Sequence, residues 1–327
     1  MSISIQSPTK IFLIAFFLVT GLFVENSLSV ELYPNRPITM VSASAGGMGD
    51  TLTRLIAKIA EKELGQPIII ENKPGATGTV GMNYTLKSKP DGYTIGTNAT
   101  SVYNIVPNIR KVPYNPFTDI IDITTFCKYS FGLAVRADAT WNTLEEIIQY
   151  AKNNPGKFTY SVSGIGRPQH IIMEWIAMKE GIKLTPIPFN DSGEAVVACL
   201  GGHANATAGG NVDILSQVRA GKLKVIVILD DKRWSTVPGV PSILEKGYNF
   251  YVASFMSVLA PMGVPEAIVK KLEVVFDKAK KDPSFTKALE EFEVAAGTLS
   301  GKEYSALWRS QYDEIGKVIK TLGLQEK

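Results

Sequence analysis

The sequence predicts an α/β protein of two lobes. Short β-rich runs alternate with amphipathic helical patterns from Ile38 onward, the signature of sheets covered by helices. The chain has 327 residues, more than the ~250–300 at which single hydrophobic cores stop growing. Its 45% hydrophobic and 20% charged content supports packed cores and argues against disorder. No internal repeat, low-complexity tract or long linker interrupts it.

Residues 1–29 read as a signal peptide. Lys10 gives a weak positive start, and the uncharged apolar run 11–24 is short for the ~20 residues of a membrane-spanning helix. Ser27 and Ser29 are small residues that suit cleavage after Ser29. No cysteine lies near this junction, so a lipid anchor is not expected and export is.

The first α/β segment opens with a strand at Ile38–Ser42, then a turn at Gly46, Gly47 and Gly49. Asp50 is read as the N-cap of a helix carrying Leu52, Leu55, Ile56, Ile59 and Leu64 on one face, ended by Gly65. A strand at 68–70, a loop through Pro74, Gly75 and Gly78, a helix at 81–88, a Pro90-Asp91-Gly92 turn and a strand at 94–97 follow. The same grammar recurs with strands at 131–135, 158–163, 184–188, 204–208 and 223–229. Between them, helices are expected at 144–152, 168–179, 193–200 and 212–220. This alternation predicts mostly parallel sheets. After a strand at 254–260 the pattern turns helical, at 266–280, 283–292 and 302–322, as expected if the chain returns to its first lobe. The lobes are therefore placed at 30–128 plus 256–327 and at 129–255, with crossings near Lys128 and Phe255.

Composition narrows the function. The net charge of +3 is scattered rather than striped, which argues against nucleic acid and fits a small anionic ligand. Two cysteines, Cys127 and Cys199, would be free to pair in an oxidising compartment, but spacing alone does not prove that their Cβ atoms meet, and two buried thiols fit equally well. Two histidines, His170 and His203, with no CxxC or HExxH pattern leave no zinc site, and no cofactor is expected. There is no G-x-S-x-G elbow and little material for an acid–base triad, so catalysis is not expected.

Four segments are candidates for binding. In Ser42–Asp50, glycines between a strand and a helix expose consecutive N–H groups at a positive dipole end, a seat for a carboxylate through Ser44, Ala45, Gly46, Gly47 and Asp50. The loop is neither a P-loop nor a G-x-G-x-x-G turn, and the glycines would serve a plain tight turn as well. Ser161–His170 repeats the arrangement with Ser163, Gly164 and Gly166, then Arg167 before Pro168 at the first helical position. Arg167 offers a guanidinium fork to an anion or stands solvated; His170 suits a helix hydrogen bond better than a ligand. Asn190 and Asp191 lie at a third strand end, where Asp191 or Ser192 is first an N-cap. Thr97 and Asn98 lie at a fourth, where open α/β sheets bind ligands. Two anion seats, one per lobe, would grip a dicarboxylate across a cleft.

At these residues the sequence resembles a known family. Tyr33-Pro34, Arg36-Pro37-Ile38, Ala45-Gly46-Gly47 with Asp50 and Arg54, Leu64-Gly65-Gln66-Pro67, Glu71-Asn72-Lys73-Pro74-Gly75-Ala76 and Pro90-Asp91-Gly92-Tyr93-Thr94 resemble the tripartite tricarboxylate transporter receptors (TctC or Bug family). Val240-Pro241-Ser242, Glu245 with Gly247-Tyr248, and Ala260-Pro261 with Pro265 extend the likeness over essentially the whole mature chain. The resemblance implies a type II periplasmic-binding-protein (Venus flytrap) fold with a ligand cleft between the lobes. It further implies that the two loops hold ligand carboxylates largely through backbone N–H groups and water. The implied partners are a small carboxylate ligand and membrane transporter subunits, with a single copy of the chain acting. Departures from the family pattern are Ser42 and Ala43, where proline and an aromatic usually stand, and Arg167, where serine is usual. A periplasmic sensor for a signalling partner and an exported hydrolase are the alternative functions.

Overall fold

The computed structural model describes residues 33–326, so the expected signal peptide lies outside the described residues. Two separate sheets form. The first contains β1 (Ile38–Ser42), β2 (Ile68–Asn72), β3 (Thr94–Ala99), β4 (Ile120–Tyr129), β10 (Ser254–Pro261) and β11 (Ala295–Ala296), in the order β11-β4-β10-β3-β1-β2. The second contains β5 (Phe131–Arg136), β6 (Thr159–Val162), β7 (Thr185–Pro188), β8 (Ala206–Gly210) and β9 (Leu223–Ile228), in the order β7-β6-β8-β5-β9. Sheet membership changes at Ser130 and again before Ser254. Helix α1 (Gly47–Leu64) buries Leu52, Ile56, Ile59 and Leu64 against the first sheet and ends at Gly65 in a left-handed conformation. Helices α2 (Thr79–Leu86), α3 (Ser101–Asn104) and α4 (Val106–Ile109) follow, and α5 (Leu144–Asn153), α6 (Pro168–Glu180), α7 (Ser192–Leu200) and α8 (Asn211–Arg219) cover the second sheet. The chain closes with α9 (Glu266–Ala279), α10 (Pro283–Glu291) and α11 (Gly301–Thr321).

The expectation of mostly parallel sheets is corrected. β1 runs parallel to β2 and β3, and β6 to β7 and β8. β10 is antiparallel to β3 and β4, β11 to β4, and β5 to β8 and β9. The reason is the double crossing. β3, β4, β6 and β8 bring their carboxyl ends to the space between the sheets, and a strand that receives the chain there must run outward against them. Both receiving strands, β5 and β10, do so.

The first sheet has its own apolar core with Phe126, Cys127 and Phe276, and the second another with Phe158, Tyr160 and Trp175. Cys127 and Cys199 are free buried thiols in different clusters, and burial pushes their pKa values up to about 12 and about 11. Helix α11 spans both lobes. Its Tyr304 and Trp308 pack with Tyr103 and Phe255 of the first, while Ile315, Val318 and Ile319 enter the second core. Ser300 and Glu303 form a capping box at its start, a contribution of about 1 kcal/mol. Among the described residues no helix is long and apolar enough to cross a membrane.

A candidate carboxylate-binding cleft

The turn after β1 is shaped by its glycines. Gly46 (φ 87°) and Gly47 (φ 71°) take left-handed backbone that a side chain would strain. The helix begins earlier than the sequence predicts: Gly46 is the N-cap and makes no side-chain cap, so the first N–H groups of α1 are left open. Asp50 is therefore not the cap. It sits one turn in, where Arg54 Nε (2.9 Å) and Asn72 Nδ2 (2.7 Å) donate to its carboxylate. The Arg54 guanidinium in particular holds the Asp50 carboxyl below the ordinary carboxylate range. Asn72 also donates to the Ser44 carbonyl and accepts from Arg54 (2.6 Å), so this triad fixes the loop from behind.

The loop after β6 is built alike. Gly164 (φ 103°) and Gly166 (φ 76°) turn the chain, Arg167 occupies the N-cap position of α6, and Pro168 follows as the first helical residue. A Cβ on Gly166 would lie 2.8 Å from Ile109 of α4, so this loop reaches the first lobe closely. His170 faces inward: its Nδ1 accepts from Gly166 N at 3.3 Å, it is 3% exposed, and burial lowers its pKa to about 4. Gln169 Nε2 donates to Ser163 Oγ (2.9 Å).

Two adjoining cavities of about 400 and about 330 Å³ lie where these ends meet, sharing Ser44, Ala99, Ser101, Tyr129 and Arg167 as walls. Of the predicted residues, Ser44, Ser163 and Arg167 line the larger and Ser44, Thr97, Asn98 and Arg167 the smaller. Ala45, Gly46, Gly47, Asp50, Gly164, Gly166, His170, Asn190 and Asp191 line neither. Asp191 instead caps α7 by accepting from Glu194 N (2.9 Å), and its neighbour Ser192 faces the larger cavity. Sequence reasoning missed Tyr129 and Phe131 at the crossing, Ser101 in α3, Asn211 and Asp213 at the start of α8, and Ser254 at the start of β10. The Gly209-Gly210-Asn211 junction repeats the strand–glycine–helix grammar and was the available signal for α8. The walls mix hydroxyls with Tyr129, Phe131, Pro168 and Val212, the composition of a small-ligand site with a few polar anchors. Among the described residues no group of three or more His, Cys, Asp or Glu side chains could hold a metal ion.

Two sheets joined by crossing strands, with strand-end loops from both facing one cleft, define a two-lobed solute-binding protein. The chain belongs to the tripartite tricarboxylate transporter family receptors (TctC), whose family model matches residues 52–324, and members are periplasmic solute-binding proteins. It is similar to the "UPF0065 protein in gbd 5'region" of Cupriavidus necator, 36% identical over 295 residues that cover 90% of each chain. Among solved structures it resembles a TctC solute-binding protein from Polaromonas without ligand (TM-score 0.80, 28% identity, covering 88% of this chain and 99% of that one). It also resembles a Rhodopseudomonas palustris protein with adipate (TM-score 0.74, 26% identity, 89% and 98% covered). MatC from the same organism, with bound malate, is similar too (TM-score 0.71, 26% identity, 88% and 100% covered).

Proposed function

We propose that this protein is an exported receptor that captures a small carboxylate-bearing solute between its lobes and delivers it to a membrane transporter of the tripartite tricarboxylate type. It acts as a single copy, without catalysis, after removal of residues 1–29. The lobes are 30–128 with 256–327, and 129–255. The observation that carries this reading is the cleft itself: Ser44 at the open helix start of one lobe and Ser163 with Arg167 of the other border one cavity. Adipate and malate bound to similar proteins support the ligand class.

Thermal-shift screening against dicarboxylates, tricarboxylates, amino acids and aromatic acids tests it, because a ligand that binds only the folded state raises the melting temperature. At least one class should give a saturable shift. Arg167→Ala should then weaken that ligand ~10–100-fold, the weight of a charge-assisted hydrogen bond. No shift with any organic acid, or an unchanged affinity in the variant, contradicts the proposal for the ligand class or for Arg167 respectively.

A further inference from the structure

Among the described residues that line the larger cavity, two carry charge: Arg167 from the loop before α6 and Asp213 from the first turn of α8. Neither forms an ion pair within 4.0 Å with another described residue, and they do not pair with each other. A fixed cation and a fixed anion that stay apart in one pocket are complementary to a ligand carrying the opposite pair. A plain dicarboxylate satisfies Arg167 but brings a second anion towards Asp213 in a space partly closed to water, where like charges repel strongly. Burial pushes the Asp213 carboxyl above the ordinary carboxylate range; the Ser192 hydrogen bond opposes this, and the nearby Asp191 charge adds to it. That is the response of a carboxylate lacking a cationic partner. A place in the first turn of α8 suits an acidic side chain by helix-dipole interaction, but that role does not require it to face the ligand cavity.

We propose that the ligand is a small zwitterion, an amino acid with an apolar body. Its carboxylate is held between Ser44 of the first lobe and Arg167 of the second, its ammonium by Asp213, and its body lies against Met48, Phe131 and Val212. This rests on the carboxylate-receptor reading above and narrows it. Asp213 is then the specificity-determining residue: it accepts from the ammonium and rejects acids that lack one.

Titration calorimetry on matched pairs tests this: L-phenylalanine against phenylpropionate, L-leucine against 4-methylpentanoate, with adipate and malate beside them. In the native protein the ammonium-bearing member should bind ~10–100-fold tighter than its partner. Asp213→Asn and Asp213→Ser should both bring that ratio to within about 3-fold while the affinity for the desamino acids is kept or improved. Equal affinities within each pair of the native protein overturn the inference, as does a variant that weakens both members alike, which would assign Asp213 to holding α8. Binding of adipate, malate or the desamino acids without preference for the amino acids overturns the zwitterion and leaves the carboxylate receptor standing. Binding of none of these probes overturns the zwitterion, and the carboxylate receptor falls with it when the wider thermal-shift screen is also blank.

Discussion

Asp50, Asn72 and Arg54 show how one loop is held for a ligand without touching it. Asn72 is the member that reaches furthest, joining the Ser44 carbonyl to the Asp50 carboxylate. Asn72→Ala removes these bonds and leaves the Ser44 carbonyl with the Ser42 hydroxyl (3.1 Å) as its remaining donor. We expect a stability loss of about 1–2 kcal/mol in urea unfolding, and a larger proportional loss of ligand affinity by calorimetry because the loop loses its backing. The sequence made Asp50 visible but misassigned it. A glycine cap carries no side-chain signal, so the helix start was placed at the first good capping residue, four positions late. Asp50 and Arg54, four residues apart on α1, form an ion pair that the sequence reading did not draw from that spacing. Arg167 and Ser163 were readable because strand–glycine–proline punctuation is local. Asp213 was not, since nothing local in Asn211-Val212-Asp213 tells which cavity the helix start will face.

At the scale of elements, α6 and the loop before it form a pH-sensitive unit. His170 holds Gly166 N through Nδ1, which requires the neutral ring. Its folded pKa is about 4, against ~6.5 in an unfolded chain. Between those values the unfolded chain binds a proton that the folded one excludes, so stability is present at neutral pH and is lost as pH falls from ~6.5 towards ~4. The loss from this group is at most about 3 kcal/mol. Asp122, whose carboxyl burial pushes up to about 6, changes stability in the opposite sense over much of that window. Comparing urea midpoints of the native protein and His170→Asn at pH 7 and pH 4.5 cancels such background; the variant should show the smaller loss on acidification. On α11, Trp308 is 1% exposed and packs on Tyr103, so Trp308→Ala should cost about 3–5 kcal/mol in the same assay. Elements with clear punctuation, such as α1, α6 and β10, were legible within a few residues. β4 was not, because Ile123 to Cys127 is buried on both faces and shows no polar alternation. Helices α3 and α4, four residues each, are too short to display a helical period.

For the whole molecule, the joint between lobes is an ion cluster as well as a pair of strands. Lys128 on β4 pairs with Asp230 (3.0 Å) and Asp231 beyond β9, while Trp234 Nε1 donates to Ser130 Oγ (2.6 Å) at the crossing. Burial pushes the Asp230 carboxyl up to about 6, with Lys128 opposing. Removing the cation leaves carboxylates stranded, so Lys128→Met should destabilise the protein by roughly 3 kcal/mol in urea unfolding. Two lobes were legible from chain length and from the repeated α/β grammar. The antiparallel crossing strands were not, because strand direction depends on where the chain re-enters a sheet rather than on any residue within it. The proposed receptor holds one ligand carboxylate between both lobes. A crystal structure of the protein with the carboxylate giving the largest thermal shift tests it most directly. The ligand carboxylate should lie in the cleft, within hydrogen-bonding distance of the Arg167 guanidinium, with Ser44 and the start of α1 on the opposing wall. A ligand seated outside the cleft, or in contact with one lobe alone, would contradict it.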